Sequence, residues 1–444
     1  MAMNSTTQWG SRIGFILAGA GSAIGLGAIW KFPFWAGTNG GAAFIIPYIF
    51  FTFTIGIVLL IAELAVGRAG RGSALHALKT LGGPVFVVLG SLTVLSSFII
   101  LSYYSVVGGW CMKYLVDSVI GRLVTNDPKI LAANFEALVT SGPVNLAWHF
   151  VFLSMTCGVI ALGVVKGIER ISKYLMPTLF ILMILIIIRS LTLPGAGAGV
   201  EFLFKLDFST LTLSNILNAM GFTFFSLSLG CGIMVTYGAY LPNNTDIPSS
   251  SLWISYLAIQ TAILAGLMIM PAVFALGQDL NAGPGLVFVT VPLVFSQIPL
   301  GGIVAVAFNV CLVVAALTSA VSLLEVVVAY LQHEWHMTRK GATLLCYVSL
   351  FFVGGISALS FGPWSGFTIG GRVFFDFLDY ICTNVTMPVG GMAVAVLAGW
   401  VAWKSTEKQI NLVRSYSKAL NRFFAFSLKI LAPALVVVVI ATGI

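Results

Sequence analysis

Eleven apolar stretches divide the chain, at 12–37, 43–67, 85–116, 147–165, 172–191, 215–240, 251–276, 301–332, 341–361, 371–401 and 421–443. Crossing the hydrocarbon of a bilayer as a helix takes about 20 mostly apolar residues. No water there pairs with peptide groups, so only helices and closed barrels can cross. Stretches of this length predict an all-α integral membrane protein of about 11 transmembrane helices. Composition agrees, with 59% hydrophobic and 8% charged residues, where a soluble domain carries roughly 25% charged. The first stretch begins near Arg12 without a small-residue cleavage site, and reads as a retained span rather than a signal peptide.

The formal charge of +8 would suggest a nucleic-acid partner in a soluble chain. Here the basic residues lie in short loops beside apolar spans, which is a topology signal and argues against nucleic acid. Arg68, Arg71 and Lys79 follow span 2; Lys166, Arg170 and Lys173 follow span 4. Arg339 and Lys340 follow span 8, and Lys404, Lys408, Arg414, Lys418 and Arg422 follow span 10. The opposite loops hold Asp127, Glu136, Glu201, Asp207 and Asp279. Positive charge stays inside, so the N-terminus is expected in the cytoplasm and the C-terminus outside a multi-pass plasma-membrane protein. The loop 241–250 has no basic residue and follows by position alone. Two long outer stretches, 118–146 and 277–300, are expected to carry short helices over the outer mouth.

The cysteines Cys111, Cys157, Cys231, Cys311, Cys346 and Cys382 stand singly in apolar stretches, with no CxxC. They read as packing residues rather than metal or redox groups. "HEWH" (His333 to His336) has the wrong spacing for HExxH and lies at a basic span end, so it reads as a loop feature. No nucleophile–base or metal constellation falls within the spans, which argues against an enzyme.

Span 1 contains "GAGSAIGLG" (Gly19 to Gly27) and span 6 contains "FFSLSLGCG" (Phe224 to Gly232). The two interruptions are five spans apart, so the second set of five crosses in the opposite sense. That implies inverted halves, 12–191 and 215–401, with 421–443 as an additional span. Glycines can simply let helices approach, and one interruption alone would favour that reading. Two at matching places point to a binding site at the bilayer midplane. There, freed carbonyls ligate cations and freed N–H groups hold anions. A further segment, "GIERISKYLMP" (Gly167 to Pro177), reads either as an ordinary helix start or as one that unwinds, because Pro177 weakens its first turns.

Five segments carry a family resemblance: "WGSRIGFILAGAGSAIGLGAIWKFP" from Trp9, "NGGAAFIIPY" from Asn39, "YYSVVGGW" from Tyr103, "FFSLSLG" from Phe224 and "AALTSAVSLLE" from Ala315. They resemble helices 1, 2, 3, 6 and 8 of the neurotransmitter:sodium symporter family, sodium-coupled transporters of amino acids and amines. The resemblance covers essentially the whole chain and implies the LeuT fold, a 5+5 inverted repeat with helices 1 and 6 broken. It implies a second sodium site of the carbonyls of Gly21, Ile24 and Ala315 with the hydroxyls of Thr318 and Ser319. The substrate carboxylate would meet the N–H groups of Leu26 and Gly27 and the Tyr104 hydroxyl. The amine would meet the carbonyls of Ala23, Phe225 and Ser226 and the side chain of Ser228. The substrate side chain would touch Ile100, Phe225, Cys231, Ser319, Ser322 and Leu323. An outer gate would pair Lys31 with Asp379 above a lid of Tyr104 and Phe225. Lysine there, where the family usually has arginine, lacks the planar fork and implies a looser gate.

Three departures set this chain apart from the family pattern. At the two asparagines of the first sodium site stand Ala28 and Ala258. Ser226 is kept, but methyl groups cannot replace the water shell of an ion, so that site is degraded. Of the chloride site, Tyr48 and Ser226 remain beside Phe222 and Ala262, and "QTAILAG" (Gln260 to Gly266) lacks the carboxylate of chloride-independent members. No chloride requirement is expected. The inner gate's ion pair is replaced by Thr6 and His333, of which His333 reads as an exposed loop residue able to add pH sensitivity.

The expectation is a symporter of a small amino acid or amine with one sodium ion per cycle. Spans 1, 2, 6 and 7 would rock against 3, 4, 5, 8 and 9 in a monomer or weak dimer. Loss of the first ion also admits substrates without a carboxylate. An uncoupled or proton-coupled carrier, or a non-transporting ligand sensor, of the same fold stays open.

Overall fold

The computed structural model describes residues 8–123, 125, 127–207, 209, 211–277 and 286–442; Thr6 and Asp279 lie outside the described residues. The chain is helical nearly throughout, apart from a short antiparallel ribbon that pairs Thr368 with Val373 and Ile369 with Arg372. Among the described residues, ten helices are long and apolar enough to cross a membrane. They are Arg12–Thr38, Ala42–Gly70, Val85–Val119, Gly142–Ala161, Val164–Leu191, Ile247–Ala275, Gly301–Glu334, Arg339–Leu359, Phe374–Val401 and Lys418–Ala441. Where the sixth span is expected, two shorter helices stand instead, Leu213–Ser226 and Ile233–Ala239. Pro128–Thr140 and Val287–Ser296 are short helices within the two long outer stretches.

Local chemistry sets several starts. Ser11 Oγ accepts the Gly14 N–H at 3.0 Å, Thr338 Oγ1 that of Gly341 at 3.2 Å, and Ser417 Oγ that of Leu420 at 3.2 Å. Each side chain satisfies an N–H that the first turn leaves open. Span 4 sits earlier than the sequence reading put it and span 5 starts earlier, ending at Leu191 as expected; the two meet at a tight turn where Gly163 takes φ +92. Lys166, Glu169, Arg170 and Lys173 therefore ride on the first turns of a helix rather than in a loop. Glu169 and Lys173, four apart and 2.7 Å from each other, compensate their charges on one helix face. The stretch 167–177 is helical here, widely wound over Val164–Glu169, with Pro177 inside the helix.

The helix Gly301–Glu334 is buried along most of its length and packs on Val85–Val119, Val164–Leu191 and the first half of span 1. Outward-facing apolar residues are common: Phe50 is 60% exposed, Val88 73% and Phe352 66%. In a helix bundle immersed in lipid such side chains meet acyl chains as apolar as themselves.

Candidate functional site

Gly25 interrupts the first helix at φ 16 and ψ −174, and wide turns over Gly27–Lys31 follow it. In the sixth span residues 227–232 leave the helix, with Ser228, Gly230 and Gly232 at φ 53, 83 and 78. Glycine takes this left-handed region without strain. The two breaks touch: Ser228 Oγ donates to the Ser22 carbonyl at 3.1 Å. Neighbouring spans satisfy the freed peptide groups. Glu63, 1% exposed, accepts the Gly230 N–H at 2.7 Å, and Ser97 Oγ donates to the Cys231 carbonyl at 2.6 Å. Irregular backbone at this depth is tolerated when protein supplies such partners.

Between the breaks lies a cavity of about 110 Å³. Ala23, Leu26, Gly27, Ile100, Tyr104, Phe225, Ser228, Cys231, Ser319 and Leu323 line it, as do Lys31 and Asp379. Ser226 and Ser322 do not. Ser226 turns its hydroxyl to the Thr223 carbonyl, 3.1 Å away. Ser322 accepts from the Tyr237 hydroxyl and donates to the Thr318 carbonyl, both at 2.9 Å, inside a network directed away from the cavity. The sequence reading missed Ser22, Trp30, Tyr103, Val107, Phe375 and Met387, all of which line the cavity. Spacing carried the signal for most of them. Tyr103 and Val107 share a helix face with Ile100 and Tyr104, and Phe375 and Met387 stand one and two turns from Asp379. The Leu26 N–H donates to Tyr104 Oη at 3.1 Å, while Ser22 Oγ, 3% exposed, has no partner among the described residues. A buried hydroxyl left alone is costly, so it favours a polar occupant.

Below the cavity, Ser319 Oγ donates to the carbonyls of Gly21 and Ser22 at 3.2 and 2.9 Å. Thr318 Oγ1 is turned to its own helix, 3.1 Å from the carbonyls of both Val314 and Ala315. The Ile24 carbonyl accepts the Gly27 N–H. Gly21, Ala315, Thr318 and Ser319 are thus gathered where spans 1 and 8 meet. A Cβ on Gly21 would lie 3.1 Å from Thr318 Cβ and 3.2 Å from Met176 Sδ, so glycine lets the two spans approach without pushing these neighbours back. Rotating the two hydroxyl hydrogens outward would free a shell of neutral oxygens for a cation. Ala28 and Ala258 are buried at 3% and 2% exposure and present only methyl groups.

At the cavity mouth, Lys31 Nζ lies 3.6 Å from Asp379 and 4.2 Å from the centre of the Phe225 ring. Toward the basic end, Trp9 donates its indole N–H to the Tyr237 carbonyl at 3.0 Å. Both oxygens of Glu169 are used there, by the Gly10 N–H, the Ser11 hydroxyl and Lys173, each at 2.7 Å. Sequence reasoning did not find this arrangement. His333 corrects the loop reading: it lies in the last turn of Gly301–Glu334, its Nδ1 3.0 Å from Glu334 Oε1 and its ring centre 4.2 Å from that of His76, the two rings tilted by 45°. Burial and the neighbouring His333 hold the His76 pKa below its ordinary value.

The sodium:neurotransmitter symporter family matches residues 6–130 and 128–444 of this chain. An uncharacterized sodium-dependent transporter of Bacillus subtilis, YhdH, is 40% identical over 443 residues, 99% of this chain and 98% of its own length. A sodium-dependent transporter of Haemophilus influenzae, also uncharacterized, is 33% identical over 98% of both chains. The crystal structure of MhsT in complex with L-phenylalanine superposes with a TM-score of 0.91 at 40% identity, covering 99% of this chain and 100% of that one.

Proposed function

The chain belongs to the sodium:neurotransmitter symporter family, membrane transporters with the LeuT fold rather than enzymes, and from that premise we propose that it carries a small amino acid with one sodium ion per cycle. One observation carries the reading. Ser319 lines the cavity and also bridges to the carbonyls of Gly21 and Ser22, so a single residue borders both the solute and the cation. The cation would sit among Gly21, Ile24, Ala315, Thr318 and Ser319. The solute carboxylate would take over the Leu26 N–H and the Tyr104 hydroxyl, and the amine the carbonyl side of the breaks with Ser228. An amino acid with an apolar side chain suits Ile100, Val107, Leu323 and Met387 on the far wall, and MhsT, which was crystallised with L-phenylalanine, supports that class.

The buried methyls of Ala28 and Ala258 support a single ion and, with Phe222 and Ala262, no need for chloride. Alternating access follows if solute and sodium bind the closed form better than the open ones, since ligands shift conformers only by differential affinity. Each inverted half, 12–191 and 215–401, would contribute to both moving bodies, spans 1, 2, 6 and 7 rocking against spans 3, 4, 5, 8 and 9, with the basic end and the N-terminus in the cytoplasm.

Uptake of a panel of labelled amino acids and amines into proteoliposomes, with and without an inward sodium gradient, tests the proposal. Sodium should drive uptake, replacement of chloride should not matter, and Thr318→Ala with Ser319→Ala should abolish the stimulation. Stimulation unchanged in that double variant rejects the ligand assignment, and uptake indifferent to sodium rejects the coupling.

A further inference from the structure

Two histidines and a carboxylate that do not line the cavity converge at the basic end. His76 stands on the helix Ala74–Gly82 between spans 2 and 3, and His333 and Glu334 close the helix Gly301–Glu334. One ligand atom from each lies within 4.8 Å of the others. Glu334 Oε1 is 3.0 Å from His333 Nδ1 and 3.9 Å from His76 Nδ1. None of the three lines the cavity. We propose that His76, His333 and Glu334 bind one divalent transition-metal ion of the zinc class, and that the ion clamps the helix Ala74–Gly82 to the end of the eighth span.

The donor set is two imidazole nitrogens and one carboxylate oxygen. This is a zinc-type set with a fourth position left for water. Magnesium and calcium instead require shells of oxygen. Zinc–ligand bonds of about 2.0–2.2 Å set tetrahedral neighbours roughly 3.4 Å apart. The separations of 3.0 and 3.9 Å straddle that spacing, so small side-chain rotations suffice to close the site.

The surroundings already orient the ligands. Thr80 Oγ1 lies 3.2 Å from His76 Nε2 and fixes that ring with Nδ1 toward Glu334. Ser73 Oγ donates to Glu334 Oε1 at 3.4 Å. Partners of this kind set the tautomer and direction of metal ligands. The chain before His76 leaves room for the rings only because residue 72 is glycine. A Cβ there would lie 2.6 Å from His333 Nε2 and 3.0 Å from His76 Cδ2, and its φ is +70. The two rings come from segments far apart in sequence, so an ion held between them joins two elements that nothing covalent connects nearby.

The test uses the full chain without a histidine tag, titrated with Co²⁺ and followed by visible d–d absorption. That absorption is intense for four-coordinate nitrogen–oxygen sites and faint for the hydrated ion. One equivalent should bind and be displaced by Zn²⁺ but not by Mg²⁺. His76→Ala, His333→Ala and Glu334→Gln should each weaken binding at least about 10-fold, while His336→Ala, outside the trio, should leave it intact. Solute binding by each variant reports folding, because none of these residues touches the cavity. Should a variant fail to fold, the unmodified protein still decides: Zn²⁺ should slow hydrogen exchange over residues 72–80 and reduce sodium-driven uptake. No stoichiometric Co²⁺ spectrum from the unmodified chain, or a spectrum that survives in the His76→Ala, His333→Ala double variant, overturns the proposal. Uptake indifferent to sodium in the metal-free protein, with the Co²⁺ spectrum retained on titration, would count against the proposed function and leave the metal site standing.

Discussion

Between the cavity and its mouth stand Lys31 and Asp379, 3.6 Å apart, with side chains 25% and 36% exposed. Between the cavity and the basic end stand Trp9, 4% exposed, and Glu169, 2% exposed and holding three donors. The first closure is one ion pair in reach of solvent, and such pairs contribute about 0.2–1 kcal/mol. The second buries an indole against Phe15 and Tyr237, at ring separations of 5.6 and 5.0 Å, beside a carboxylate whose charge is fully satisfied. Unequal chemistry gives the two ends unequal resistance, so this conformer should open at the mouth far more readily than at the base.

That inequality can be broken in order of size. Trp9→Ala removes the buried indole and should weaken the basic-end closure by about 3–5 kcal/mol. Hydrogen exchange over residues 9–16 should then accelerate by more than about 100-fold. Unchanged exchange there would mean that the indole packs without sealing. Glu169→Gln keeps the shape but loses the charge that gathers Gly10, Ser11 and Lys173. It should cost about 2 kcal/mol, roughly 30-fold on the same readout. Lys31→Met should raise the dissociation rate of bound solute less than about fivefold, the worth of a half-exposed pair. A larger effect from Lys31→Met than from Glu169→Gln would invert the comparison.

Apolar lengths made the helices legible, because a bilayer imposes one solution on any stretch of that size. Both breaks were legible as well, since Gly25, Gly230 and Gly232 interrupt otherwise uniform spans. What escaped depends on side-chain direction and on contacts distant in sequence. Ser322 falls in the right segment, yet its hydroxyl is captured by the Tyr237–Thr318 network. Glu169 drew no separate reading, because helix spacing could not reveal that residues 10 and 11 would fold onto it. His76 and His333 share no periodicity, and only packing of the loop helix against the eighth span makes them neighbours.

Gly27 sits where an added Cβ would run into the Phe225 ring, 3.2 Å from Cδ1 and 3.3 Å from Cζ. One wall of the cavity is therefore bare peptide with no room to grow, while the facing wall consists of exchangeable side chains. Selectivity can then be retuned only from one side. Remodelling this carrier for bulkier or smaller cargo should proceed through Ile100, Val107, Cys231 and Leu323, leaving the peptide wall as a fixed die against which each new cargo is cast.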